Sequence, residues 1–169
     1  MPDYIFDTTA LSNFAFVEKF ELVEKRYRSC GFTTIEVIDE LRRGVKAGYT
    51  FLESVLTGIK DLSNNGWIQI IGQNTSGEYQ LRYQFDQSLD PGEASCLSLA
   101  ISRKLILITD DLAARRLAYT MNVDLTGTLG ILIALVRTKE LSLTGANSIL
   151  ESMIKGNFRS PVYKLDEYI

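Results

Sequence analysis

The sharpest pattern in the chain is Leu105-Ile106-Leu107-Ile108, four consecutive aliphatic residues running into Thr109-Asp110-Asp111. With no alternating polar side, such a run predicts a strand buried on both faces, as in a parallel sheet covered by helices. A helical pattern follows at once over residues 112–121. It turns Ala113, Ala114, Leu117, Ala118 and Met121 inward and Arg115, Arg116 and Tyr119 outward. Ligands of open α/β sheets gather at the carboxyl ends of the strands. The two acids there must cap the helix, bind a cation, or do both.

The same grammar recurs along the chain. Tyr4-Ile5-Phe6 predicts a strand ending in Asp7-Thr8-Thr9, with a helix over residues 10–20 that Asp7 could cap. Residues 31–34 open the next unit, and 35–46 have helical spacing with Ile35, Val37, Ile38, Leu41 and Val45 on one apolar arc. Glu36 and Asp39 then face solvent, Glu36 suited to a capping box with Thr33 and Asp39 to an i,i+4 pair with Arg43. Glu40 falls at the border of the arc, beside Val37 and Gly44, and has no evident structural task. A helix over 51–62 is stopped by Asn64-Asn65-Gly66, and 67–71 predicts a strand. The polar stretch 72–87, with scattered aromatics, is expected to be a loop holding a helical turn around 80–85. Asp90-Pro91-Gly92-Glu93 starts a helix over 94–103, and Glu93 has an ordinary use there as the third residue of a capping box. A short strand at 123–125 precedes the turn 126–130, which lacks the lysine and spacing of a P-loop and reads as a tightly packed helix start. Apolar and amphipathic helices at 129–136 and 143–154 follow, then a tail, 158–169, with apolar residues to pack back.

This order, β-α-β-α-α-β-α-β-α-β-α, predicts an α/β fold: a single domain over residues 1–169, built as an α/β/α sandwich on a mainly parallel sheet of about five strands. The composition, 46% hydrophobic and 23% charged, is that of an ordinary globular chain. No apolar run approaches the roughly 20 residues that span a bilayer. Met-Pro-Asp-Tyr-Ile carries neither the basic region nor the apolar segment of a signal peptide, so a cytoplasmic location is expected. Two distant cysteines, Cys30 and Cys96, and no histidine exclude the usual Cys/His zinc sites and every histidine-based triad. Acid–base or metal chemistry must then rest on carboxylates, lysine or tyrosine.

In a parallel sheet the strand ends converge on one edge, which gathers Asp7, Glu93, Asp110 and Asp111, with Glu40 one to two turns into its helix. Clustered carboxylates repel one another unless a cation or shared proton relieves them. The cation expected is hard, Mg²⁺ or Mn²⁺, which take oxygen ligands and suit phosphoryl chemistry. A net charge of −3 argues against a protein that coats nucleic acid. Local basic clusters remain: Arg42, Arg43 and Lys46; Arg115 and Arg116; Lys25, Arg26 and Arg28.

Together, Asp7-Thr8-Thr9-Ala10-Leu11-Ser12, Glu40-Leu41-Arg42-Arg43-Gly44, Gly92-Glu93-Ala94 and Leu107-Ile108-Thr109-Asp110-Asp111 resemble the PIN domain. Gly127-Thr128-Leu129-Gly130-Ile131-Leu132 is similar to a branch of prokaryotic PIN-like proteins first described as predicted nucleic-acid-binding proteins. The resemblance covers nearly the whole chain, and the order and spacing of its motifs carry it. It implies an Mg²⁺- or Mn²⁺-dependent endoribonuclease acting on RNA phosphodiesters, often the toxin of a toxin–antitoxin pair, with an antitoxin protein as partner and a homodimer as the expected assembly. It implies metal-ligating, catalytic acids at Asp7, Glu40, Glu93 and Asp111, with Asp110 in place of or beside Asp111, and supporting hydroxyls at Thr8 and Thr109. The family's third acid is most often Asp; here it is Glu93, one carbon longer and able to act through a water. Arg42, Arg43, Arg115 and Arg116 are the expected contacts to the RNA backbone. The alternative is a catalytically weak PIN-like module that binds RNA or protein. A haloacid-dehalogenase phosphatase would need Asp-x-Asp after the first strand, where Thr9 stands, and a phosphoreceiver would carry its acid pair near the first strand rather than the fourth.

Overall fold

The computed structural model describes residues 2–169. Its elements, in chain order, are β1 (Tyr4–Phe6), α1 (Thr8–Phe16), α2 (Phe20–Tyr27), β2 (Gly31–Thr33), α3 (Ile35–Lys46), α4 (Glu53–Thr57) and β3 (Gln69–Ile70), followed by α5 (Ser76–Phe85), α6 (Pro91–Arg103), β4 (Ile106–Ile108), α7 (Leu112–Thr120), β5 (Leu125–Thr126), α8 (Thr128–Arg137) and α9 (Leu143–Lys155). The five strands pair in the order β3-β2-β1-β4-β5, every pair parallel, as the aliphatic runs predict. Successive strand residues point to opposite faces. Ile5 and Phe6 are both fully buried, as are Leu107 and Ile108 to within 1%, so helices cover both faces of the central strands.

That strand order locates the site. The chain lays β2 and β3 on one side of β1, then crosses back to place β4 and β5 on the other. The reversal falls between β1 and β4, where Phe6 is in register with Ile108. A crevice at such a switch point, outside the carboxyl ends of the strands, is where ligands of open α/β sheets bind. Asp7 and Thr109-Asp110-Asp111 are the residues that leave those two strands.

Several elements depart from expectation for identifiable reasons. The helix expected over 10–20 ends at Phe16, because Glu18 adopts a left-handed φ of 56°. A second helix, α2, then buries Phe20, Val23 and Tyr27 on one stripe. Its basic cluster is spoken for: Lys25 and Arg26 pair with Glu140, and Arg28 with Glu24. The helix expected over 51–62 shrinks to α4 and a preceding 3-10 turn. Gly58 follows, its bare Cα facing the Phe20 ring, and Ile59 instead bridges to Ile68. Where a loop holding one helical turn around 80–85 was expected, the full helix α5 forms, started by a Thr75/Glu78 capping box whose Glu78 is buried against Arg103 at 2.8 Å. The fifth strand sits at Leu125–Thr126, two residues later than the pattern suggests.

Side-chain assignments on two helices also change. Thr34, not Thr33, caps α3, while the Thr33 hydroxyl donates to the Phe6 carbonyl at 2.9 Å. Ile35 is largely exposed, Asp39 pairs with Arg42 rather than Arg43, and Glu36 is not a solvated acid but the 2.6 Å partner of Arg82. On α7, Ala113 and Met121 are exposed, and Arg115 turns in towards the backbone. The tail does pack back: Leu165 is fully buried and its amide donates to Asn147 Oδ1 of α9 at 2.8 Å. Cys30 and Cys96 are both buried, the Cys96 thiol donating to the Phe6 carbonyl. Among the described residues, no helix is long and apolar enough to cross a membrane.

Candidate active site

Asp7 is the centre of the edge. Its amide donates to the Ile108 carbonyl, which pins it between β1 and β4, and its side chain is 1% exposed. Oδ1 accepts the Thr9 amide and the Thr9 hydroxyl at 2.9 and 2.7 Å, which makes Asp7 the N-cap of α1. Oδ2 is buried with no hydrogen-bond partner. Burial pushes the Asp7 carboxyl up to about 7, opposed only in part by the Thr109 and Thr9 hydroxyls and the Thr9 amide, and helped by the charge of Asp110. Buried polar atoms are nearly always satisfied, so the bare oxygen at the switch point makes Asp7 a candidate contact for a ligand; Glu36 Oε2, on α3, is bare as well.

Glu40, the acid without a structural task in the sequence, projects from α3 onto this edge. Its Oε2 accepts the Thr8 hydroxyl at 2.5 Å and its Oε1 the Gly92 amide at 2.8 Å. Gly92 is glycine for want of room: a Cβ there would lie 2.7 Å from both Glu40 oxygens. Glu93, next along α6, is half-buried and does accept the Asp90 amide at 3.2 Å, as a capping residue should. Burial pushes its carboxyl up to about 7, and the charges of Asp111 and Asp7 add to the shift against the Asp90 amide. Glu93 thus serves as a cap and also feels the other acids of the edge.

The Asp pair divides. Asp111 is the N-cap of α7, Oδ1 accepting the Ala114 amide at 2.8 Å, so the cap is Asp111 and not Asp110. Asp110 is nearly enclosed and wholly engaged. Its Oδ1 accepts the Thr128 amide at 2.9 Å, and its Oδ2 accepts the Thr128 hydroxyl at 2.5 Å and Asn13 Nδ2 at 3.2 Å. Burial raises the Asp110 carboxyl, with Thr128, Arg115 and Asn13 opposing. Its amide donates to the Thr9 hydroxyl, which ties this loop to Asp7. Thr109 is buried, its hydroxyl accepting the Asp111 amide at 3.1 Å. Gly127 allows the approach, since a Cβ there would lie 2.4 Å from Asp110 Oδ1.

Thr9, Asn13, Gly92 and Thr128 were not singled out in the sequence. Thr9, Gly92 and Thr128 lie inside the Asp7–Ser12, Gly92–Ala94 and Gly127–Leu132 motifs, which is the signal that could have found them; Asn13 had none. The arginines also separate. Arg42 and Arg43 are exposed on α3, and Arg116 on α7. Arg115 instead donates to the Thr109 carbonyl at 2.8 Å and the Thr126 carbonyl at 3.3 Å, holding the β4 and β5 loops together. Among the described residues no three His, Cys, Asp or Glu side chains stand close enough to hold a metal ion as placed. Glu40, Glu93, Asp110 and Asp111 are each drawn to a hydroxyl or amide of the surrounding loops.

A family model described as a PIN domain matches residues 3–169, nearly the full chain. The chain belongs to the PIN-domain family. No curated protein matches the sequence closely enough to count as a relative. PIN-domain membership agrees with the five-stranded parallel sheet and supports a general nuclease association. The donors on this edge are all oxygen, the type a hard divalent cation takes, but among the described residues they do not converge on one ion as placed. One Asp7 oxygen is bare. Asp7 is raised to about 7 by burial and the charge of Asp110, and Glu93 to about 7 by burial and the charges of Asp111 and Asp7.

Proposed function

We propose that this PIN-domain chain is an Mg²⁺- or Mn²⁺-dependent endoribonuclease that hydrolyses RNA phosphodiester bonds. The observation that carries the reading is the unpartnered Asp7 Oδ2 at the β1/β4 switch point, with Glu93 near enough to feel the charges of Asp111 and Asp7. Asp7, Glu93 and Asp111 would hold the ion: Asp111 has one oxygen committed to its cap, whereas both oxygens of Asp110 are committed. Such an ion lowers the pKa of water and neutralises charge on a leaving phosphate oxygen. Asp110 is then a positioning residue, seating the β4–α7 loop through Thr128 and Asn13. Thr8 and the Gly92 amide aim Glu40, and Thr9 and Thr109 brace Asp7. The exposed guanidinium groups of Arg42, Arg43 and Arg116 are placed to meet backbone phosphates, which position a strand without reading its sequence.

The purified chain is expected to cut single-stranded RNA with Mg²⁺ or Mn²⁺ and to stop when EDTA is added. No cutting with either ion would overturn the reading. A toxin role in a homodimer predicts growth arrest on expression, relieved by a co-expressed antitoxin. Gly92→Ala supplies a finer test: its Cβ displaces the Glu40 carboxylate, so cleavage should fall roughly 10- to 100-fold, the range for disturbed supports of a metal site. The melting temperature should stay near that of the parent, because alanine suits a helix better than glycine. The second reading, a PIN-domain module that binds RNA or protein without cutting, is favoured by one observation. Among the described residues the acids do not converge as a ready ion site.

A further inference from the structure

Beyond the acids, the surface beside β5 carries a feature that cleavage chemistry alone does not use. Two cavities of about 450 and 430 Å³ share Leu112, Arg115 and Leu125, and so form one trough from Asp110 along the outer side of α7. At its far end Tyr119 is 81% exposed, two helical turns from Leu112, which is 66% exposed. Residues seven apart lie on one helix face, so an aliphatic and an aromatic side chain both stand unpartnered along this wall.

The charge of the trough is specific. Arg115 and Arg116 line it from α7, and Arg159 from the tail. None of the three is in an ion pair among the described residues, although the chain as a whole carries a net charge of −3. The one acid lining the trough, Asp110, has both oxygens bonded to Thr128 and Asn13. Arg115 is fixed by the Thr109 and Thr126 carbonyls, so its charge is held in the wall.

We propose that this trough holds single-stranded RNA on one side of the cleavage site, with Tyr119 as the stacking platform for a base and Arg116 and Arg159 on the flanking phosphates. The choice of ligand rests on the ribonuclease reading above. A single strand offers alternating phosphates and open π-faces, the two chemistries the trough presents, and grooves that bind single strands combine positive charge with exposed aromatics. A duplex has its π-faces stacked inside and cannot use Tyr119.

The test separates this proposal from cleavage by working in an Asp7→Asn background with EDTA, following anisotropy of a short fluorescent RNA. Tyr119→Ala should weaken single-strand binding roughly tenfold, while Tyr119→Trp, which keeps a stacking ring, should retain it. Arg116→Ala and Arg159→Ala should each weaken binding and flatten the slope of log affinity against log salt by about 0.7. Lys60→Ala, beside β3 at the opposite sheet edge, should bind as the parent does. Circular dichroism checks that each variant is folded. Parental affinity in Tyr119→Ala, equal binding of a duplex, or capture of a peptide with no RNA binding would overturn the proposal. If the wild-type chain fails to cut RNA but Tyr119→Ala still loses binding, the ribonuclease reading falls and the trough stands. If it cuts RNA while all three trough variants keep parental affinity, the reverse holds.

Discussion

Asp7→Asn should abolish RNA cleavage and at the same time make the metal-free protein more stable at pH 8. Both effects follow from one oxygen. Oδ2 is buried without a partner, so the ionised form is costly in the fold, and the carboxyl is raised from 3.8 to about 7. An acid whose folded pKa lies above its unfolded value contributes stability that is fully present below about 4 and is lost as pH rises through about 7. Asparagine removes the charge, so the gain over the parent should appear above neutrality and vanish near pH 4. A shift of this size corresponds to a few kcal/mol at most, and the amide's unpaired donor offsets part of it. A rise of roughly 3–8 °C in Tm is the expected scale. Added Mg²⁺ or Mn²⁺ should raise the Tm of the parent but not of the variant, because a ligand stabilises only the state that binds it. Cleavage that survives Asp7→Asn would remove Asp7 from the metal site, and a lower Tm at pH 8 would contradict the account of its burial.

Two glutamates one turn apart on α3 should fail in different assays. Glu40 holds both its hydrogen bonds as an acceptor, from Thr8 and from the Gly92 amide. Glu40→Gln puts a donor in place of one acceptor and removes a charge from the edge, so cleavage should fall by about 100-fold or more with little change in melting. Glu36 faces the other way. Burial pushes its carboxyl up, but the Arg82 guanidinium at 2.6 Å outweighs this and holds it below the ordinary range. Glu36→Gln should therefore leave cleavage alone and cost about 1–2 kcal/mol of stability, measurable by urea unfolding. That loss should shrink as the pH is lowered and Glu36 protonates in the parent. An active Glu40→Gln beside an inactive Glu36→Gln would reverse the assignment.

The sheet was legible because its central strands are buried on both faces and so leave unbroken apolar runs, Tyr4-Ile5-Phe6 running into Asp7 and Leu105–Ile108 running through Thr109 into Asp110 and Asp111. The acids were legible because strand ends in a parallel sheet must share an edge. What pattern could not carry was polar packing. Only the end of α5 was anticipated, as a turn around 80–85 where Phe85 is buried; its start is anchored by Glu78, buried through an arginine 25 residues away, while Tyr79 and Tyr83 face out. The α1–α2 break turns on Glu18 in a left-handed conformation without glycine or proline to announce it. Arg115 was placed outward because periodicity does not register a guanidinium satisfied by backbone carbonyls. The division of Asp110 from Asp111 depended on Thr128, a partner 18 residues on that only the folded chain brings near.

The hydrogen bond from Asn13 to Thr128 spans 115 residues and meets Asp110 between them. During synthesis, the amino-terminal half can emerge with Asp7, Glu40 and their hydroxyls already translated, yet the loop carrying Asp110 and Asp111 has no seat until β5 and the start of α8 follow. Chain growth at about 5–20 residues per second sets that interval at several seconds. A ribosome-bound nascent chain therefore lacks a completed acidic edge until synthesis is well advanced.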